Sequence, residues 1–174
     1  MSDETTKEAQ WFDDLYRDAA GDSSKVPWAD KKPNPNLVKW IEREKPSGRG
    51  LKCAVVGCGL GDDARLLDRQ GFTVNAFDVS PIAIEWARKR FPSTRVKYDC
   101  IDLFNLPSDF NQKFDFVFEA YTIQALKESL RERVIEQVVS LVAPGGRLLV
   151  ICRGRDNDEE APERPWPLTF NVIA

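Results

Sequence analysis

The sequence predicts an α/β fold with a doubly wound, mostly parallel sheet of five strands in the order 3-2-1-4-5. Three observations carry this expectation. Short apolar runs alternate with amphipathic stretches from Leu51 to Arg153. The first run ends in a cluster of glycines. The runs are rich in Val, Ile, Leu and Phe and lack clean alternation, as strands buried on both faces do. Strands and helices in alternation build right-handed βαβ units.

Each element has its own signal. Residues 51–58 (LKCAVVGC) read as the first strand, and 62–70 (DDARLLDRQ) as a helix stopped by Gly71. Residues 72–79 (FTVNAFDV) form the second strand. Ser80 can cap the next helix and Pro81 suits its first turn. Residues 95–104 and 114–122 read as strands three and four. Residues 127–144 place Leu130, Val134, Val138 and Leu141 on one helical face. A Gly-Gly turn precedes strand five, RLLVICR (147–153), whose composition suits burial on both faces. Ahead of this region, 8–20 and 37–44 read as helices, and 21–36 as a loop rich in Gly, Ser, Pro and Asn.

Composition narrows the chemistry. The 174 residues carry 42% hydrophobic and 30% charged side chains and a net charge of −3, which suits a globular chain rather than a dedicated nucleic-acid binder. The absence of histidine excludes His-based zinc sites, Ser-His-Asp triads and Cys-His dyads. The four cysteines show no C-x-x-C spacing, so we expect no metal. The acidic MSDETTKEAQ start has no apolar h-region, and the apolar runs are too short to span a bilayer. A reducing, cytoplasmic setting without membrane or nucleic-acid partners is the expectation.

In doubly wound sheets ligands bind at the carboxyl ends of the strands. There stands Gly57-Cys58-Gly59-Leu60-Gly61. Glycines permit a sharp turn and a close ligand approach. The dinucleotide fingerprint requires a third glycine where this chain has Asp62, a carboxylate that repels a pyrophosphate at a helix N-terminus. The loop therefore suits a ligand without phosphates, although a tight turn that binds nothing has the same glycines. Asp78 ends the second strand and is placed to accept from ribose hydroxyls, or stands as a plain strand-end Asp. Asp102 can accept from an exocyclic amine beside Leu103, or serve only an Asx turn.

Together, AVVGCGLG (54–61), AFDVSP (76–81), CIDLFNLP (100–107), FDFVFEAYT (114–122) and LVAPGGRLLVI (141–151) resemble the class I S-adenosylmethionine-dependent methyltransferases, whose sheet is Rossmann-like. The resemblance implies S-adenosylmethionine as cofactor. It places Gly57, Cys58, Gly59 and Gly61 at its amino-acid part, Asp78 and Val79 at the ribose, and Asp102 and Leu103 at the adenine. The acidic residue the family often has two before the first glycine is Val55 here, so Asp62 or Asp63 is expected to order the loop instead. WFDDLY (11–16), VPWADKKPNPNLVKWI (26–41), RQGFTVNAFDVSPIAIEWA (69–87) and APERPWPL (161–168) are similar to the thiopurine methyltransferase-like group. That likeness implies an N-terminal lid with Trp11, Tyr16 and Trp28 over the cofactor; ordinary core packing is the competing reading. One domain is expected over 1–174: a helical lid (1–50), a cofactor-binding core (51–155) and a short tail (156–174).

Methyl transfer asks mainly for alignment and exclusion of water. A thiol acceptor supplies its own thiolate. An oxygen or amine acceptor needs a base, and without histidine the candidates are Glu119 and Tyr121. Glu119 reads equally as a cofactor contact. Tyr121 and Gln124 are candidates to line the acceptor pocket, and Arg153 to meet an anionic acceptor. The expected function is methyl transfer to a small molecule, a thiol among the candidates, with a non-catalytic cofactor-binding or truncated domain as the alternative. The family's usual C-terminal hairpin is not legible. Strand five is therefore expected to expose an edge that pairs with a second copy, as a homodimer, or is covered by LTFNVIA as a short strand.

Overall fold

A computed structural model describes residues 3–156, 159 and 164–173. Two helices come first, α1 (Asp3–Asp18) and α2 (Pro35–Glu44). Then β1 (Lys52–Val56), α3 (Asp62–Arg69), β2 (Thr73–Asp78), α4 (Pro81–Arg90) and β3 (Lys97–Cys100) alternate. They are followed by β4 (Phe114–Ala120), a one-turn helix α5 (Thr122–Ala125), α6 (Glu128–Ser140), β5 (Val142–Ile151) and a short α7 (Phe170–Ile173). The sheet has the expected order, β3-β2-β1-β4-β5, and every neighbouring pair is parallel. Among the described residues no helix is long and apolar enough to cross a membrane.

The side-chain period of two sorts the core into two layers. Cys53 and Val55 of β1, Val74 and Ala76 of β2 and Phe116 and Phe118 of β4 face α2, α3 and α4. Ala54 and Val56, Phe77 and Val117 face α6 and the segment around Leu103 and Phe110. Both faces of the central strands are buried, which is why they lack apolar–polar alternation. Ser80 caps α4 by accepting from the Ala83 N–H, with Pro81 in the first turn, as the sequence predicts.

Several boundaries differ from expectation. Helix α1 starts before residue 8, at Asp3. Helix α2 begins at Pro35 because Asn34 accepts from the Asn36 N–H and caps it. Strand three is shorter, since Asp102 starts a 3-10 turn over Leu103–Asn105. Helix α6 stops at Ser140, and the chain pairs with β4 already at Val142.

Strand five corrects a larger expectation. Of its ten residues only Ile151 is buried, because among the described residues β5 has a neighbour on the β4 side alone. LTFNVIA does not run along its outer edge as a strand. Leu168 instead makes a single parallel bridge with Gly154 just beyond β5, and Phe170–Ile173 turns into helix. The Trp166 N–H donates to the Gln124 carbonyl, so residues 164–168 lie across the carboxyl end of the sheet. Residues 161–163 of the APERPWPL stretch lie outside the described residues, as do residues 157–158 and 160 of the tail.

Candidate active site

The glycine loop emerges from β1 between β2 and β4. Gly57, Gly59 and Gly61 all take positive φ, at 60°, 49° and 85°. L-residues avoid this region, and at Gly57 and Gly61 a Cβ would also crowd a neighbouring side chain. A Cβ on Gly57 would come within 2.4 Å of Thr122 Oγ1, and one on Gly61 within 2.7 Å of the Tyr98 hydroxyl. A Cβ on Gly59 would meet the Tyr16 hydroxyl at 3.2 Å.

Asp78, at the end of β2, holds this loop. Its Oδ2 accepts from the Gly59 N–H at 2.9 Å and its Oδ1 from the Ser80 N–H at 3.0 Å. The carboxyl is buried, which raises its pKa, while the Ser80, Gly59 and Val79 N–H groups pull it back. With three N–H groups on its two oxygens, the carboxylate keeps lone-pair capacity for a ligand hydroxyl.

The loop-ordering role expected of Asp62 or Asp63 is divided. Arg90 forks onto both Asp62 oxygens and also donates to the Leu60 carbonyl, tying the loop to α4. Asp63 accepts from the Asn34 N–H at 2.6 Å, anchoring the start of α2; burial pushes its carboxyl up to about 6. The loop N–H itself is bound by Asp78. Sequence spacing gave no sign of Arg90, whose partners lie about thirty residues away in the chain.

Cys58 and Val79 flank these contacts and are half-buried. Burial, with the Asp78 charge next, pushes the Cys58 thiol well above its usual range. Cys58 is therefore a wall and not a nucleophile. Asp102 makes the Asx turn: its Oδ1 accepts from the Phe104 N–H at 2.9 Å, leaving Oδ2 for a ligand. Leu103 is buried against the α6 layer.

The N-terminal helix lies over this site. The Tyr16 ring is buried in a third apolar cluster with Ala19, Val26, Leu60 and Ala83, and its hydroxyl accepts from Trp28 Nε1 at 2.8 Å. Burial, and then the nearby Asp78 charge, raise its pKa well above the usual value. Asp13 accepts from the Ser80 hydroxyl at 2.8 Å. Trp11 and Trp28 are 38% and 40% exposed and sit with ring centroids 6.2 Å apart. Tyr16 is thus core and cover at once, whereas the two tryptophans are surface-facing. Arg164 clasps the other end of α1, stacked 4.0 Å over Trp11 and ion-paired with the buried Glu8. The sequence offers no sign of this long-range clasp.

Glu119, at the end of β4, is fully buried. Its Oε2 accepts from the Thr122 and Ile123 N–H groups and caps α5. Among the described residues its Oε1 has no partner. Burial pushes the carboxyl up to about 7, against the pull of the Ile123 and Thr122 N–H groups and of the Thr122 hydroxyl. Tyr121, at a φ of 65°, turns the chain into α5, half-buried against the α3 layer. Gln124 is fully buried as well: its Oε1 accepts from the Arg153 N–H at 2.6 Å, and its Nε2 has no partner among the described residues. Arg153 itself is exposed. No group of three or more Cys, Asp or Glu side chains among the described residues could hold a metal ion.

The sequence pattern of the family described as a methyltransferase domain matches residues 54–146, from β1 to the start of β5. That is just over half of the chain. The chain belongs to this methyltransferase-domain family. The cofactor this membership indicates is S-adenosylmethionine, and the site fits it: a glycine loop at positive φ held by a buried carboxylate that keeps lone-pair capacity for a diol. The methyltransferase domain is 28% identical over 145 residues to the 2-heptyl-1-hydroxyquinolin-4(1H)-one methyltransferase of Mycobacteroides abscessus, covering 80% of this chain and 62% of that protein. It is 28% identical over 117 residues to the ubiquinone biosynthesis O-methyltransferase of Pseudomonas putida, covering 66% and 49%. The chain thus spans about half to three fifths of these relatives. Among solved structures, the magnesium protoporphyrin IX methyltransferase of Synechocystis, with bound S-adenosylmethionine, has the same fold: TM-score 0.71, 17% identity, 95% of this chain and 82% of that one. A protein that converts a disulfide into a thioacetal during echinomycin biosynthesis also has a TM-score of 0.71, with 24% identity, 84% and 60% covered.

Proposed function

We propose that this chain carries out S-adenosylmethionine-dependent methyl transfer to a small-molecule acceptor. The observation that carries the proposal is Asp78: a buried carboxylate bonded to the Gly59 N–H beneath three glycines at positive φ, where L side chains are strained. Asp78 accepts from the ribose hydroxyls, Gly57, Cys58, Gly59 and Gly61 border the amino-acid part, Val79 walls the ribose, and Asp102 Oδ2 and Leu103 frame the adenine. Trp11, Tyr16 and Trp28 cover the pocket and exclude water. This lid is the feature kept from the likeness to the thiopurine methyltransferase-like group. When bound, S-adenosylmethionine supplies a methyl group on a sulfonium, an electrophile that needs no activation by the protein.

The remaining task is the acceptor's proton. A thiol needs no base. An oxygen acceptor needs one, and Glu119 Oε1, unpaired and on a carboxyl near 7, is suited to accept a proton at neutral pH. The O-methyltransferases among the relatives favour oxygen; the thiol is the second acceptor class to assay. Tyr121 contributes the turn that brings Thr122 and Gln124 to the site.

Calorimetric titration with S-adenosylhomocysteine, S-adenosylmethionine and NAD tests the cofactor, and methylation of phenol and thiol panels tests the transfer. Tighter binding of NAD than of S-adenosylhomocysteine overturns the proposal. One observation favours a second reading, a domain that binds cofactor without transfer: Glu119 Oε1 and Gln124 Nε2 are sealed from solvent. That reading expects S-adenosylhomocysteine binding with no turnover on any acceptor. Pairing of a second copy along the outer edge of β5 is a separate proposal, and sedimentation over a concentration series that shows a monomer throughout removes it.

A further inference from the structure

Among the described residues, one polar atom at the end of β4 and one within α5 lack partners, and they are of opposite kind. Gln124 has its amide orientation fixed, because Oε1 accepts from the Arg153 N–H. Nε2 is therefore a donor with nothing to receive it. Glu119 has its Oε2 occupied by two N–H groups, so Oε1 is an acceptor with nothing offered to it. Both side chains are 0% exposed. An unmet buried polar atom costs about 1–3 kcal/mol, and folded chains carry few of them. Two such atoms at the carboxyl end of one strand mark a position that a ligand completes.

The surroundings locate that position. Glu119 pairs in register with Val56, the residue before Gly57, and its Thr122 partner lies against Gly57. Gln124 lies on the other side, under the segment that carries Trp166. Glu119 is thus next to the cofactor loop, and Gln124 next to residues 164–168.

We infer that Gln124 and Glu119 form a two-point holder for the acceptor, which is a hydroxyl compound bearing a carbonyl or anionic oxygen close by. The inference rests on the methyl-transfer reading of the same site. Gln124 Nε2 donates to the carbonyl oxygen, and Glu119 Oε1 accepts from the hydroxyl to be methylated. A thiol without a neighbouring oxygen meets at most one of the two atoms, and weakly. Gln124 is a positioning residue that selects and orients the acceptor.

The test uses 1-hydroxypyridin-2(1H)-one, with hydroxyl and carbonyl on adjacent atoms, and thiophenol as the thiol control. Each is titrated calorimetrically into the protein saturated with S-adenosylhomocysteine. Gln124→Leu removes the donor. Gln124→Glu keeps the oxygen that receives the Arg153 N–H but replaces the donor with a carboxylate, so it separates recognition from folding. The hydroxypyridinone is expected to bind the wild-type complex and to bind both variants at least tenfold more weakly, with S-adenosylhomocysteine affinity within twofold. Glu119→Gln should flatten the pH dependence of hydroxypyridinone binding near pH 7. Equal binding to wild type and to Gln124→Glu overturns the inference, as does binding of thiophenol without the hydroxypyridinone. Failure of S-adenosylhomocysteine itself to bind the wild type is a different outcome, and it overturns the proposed function.

Discussion

Asp78 and Glu119 are both carboxylates at the carboxyl ends of inner strands, both buried, and both raised in pKa by that burial. They differ in what their oxygens meet. Asp78 has a backbone N–H on each oxygen. Glu119 has two N–H groups on one oxygen and none on the other. The first half of the site is therefore assembled and waiting, while the second is held in an unmet state. Satisfied polar groups build a rigid cradle, and unsatisfied ones keep free energy in reserve for a ligand.

The largest test of this contrast is the pH dependence of stability. Glu119 titrates at about 7 in the folded protein, above its ordinary 4.5. Between those values the folded state keeps a proton that the unfolded chain has released. Stability therefore falls as pH rises through this window, and the loss is complete above about 7. Glu119→Gln abolishes it, so the variant should gain up to about 3 kcal/mol on wild type between pH 4.5 and 8. Urea titrations at several pH values that show parallel curves would put Glu119 in solvent contact.

Next comes the satisfied half. Asp78→Ala strips the partners from the Gly59 and Ser80 N–H groups and removes the diol acceptor. S-adenosylhomocysteine binding should weaken by about 1.5–3 kcal/mol, the range for charge-assisted hydrogen bonds. Unchanged affinity in calorimetry removes Asp78 from the site.

The cradle itself is tested by Gly61→Ala. The strained φ alone costs about 1–2 kcal/mol, and the Cβ 2.7 Å from the Tyr98 hydroxyl adds to it. Thermal melts should fall accordingly; a neutral result contradicts the left-handed turn.

The smallest effect belongs to the cover. Arg164→Ala breaks the ion pair with Glu8 and the stacking on Trp11, together worth about 1–2 kcal/mol. Hydrogen exchange across α1 should quicken without ligand, and S-adenosylhomocysteine should slow exchange over residues 8–36 in the wild type. Equal protection with and without ligand would mean that Tyr16 and its neighbours are core packing alone.

The strand order, the glycine turn, the Ser80 cap and the placement of Asp78 beside Gly59 were legible in the sequence. They follow from local rules: composition sets buried strands, Ser-Pro starts a helix, glycine alone takes positive φ, and right-handed crossovers bring successive strand ends together. The sequence could name Glu119 but not divide its two oxygens, because α5 is a single turn whose N–H groups one oxygen happens to reach. LTFNVIA has the alternation of a strand, yet a segment this short takes its form from what it packs against, and Phe170–Ile173 is helix. Strand five has the composition of a central strand, and its edge position leaves it half exposed. What the chain determined by itself was every element whose signal lies within a few residues. What tertiary structure decided was which buried polar atoms find partners, since those partners, Arg90 for the loop, Arg153 for Gln124 and Arg164 for Glu8, arrive from far along the chain.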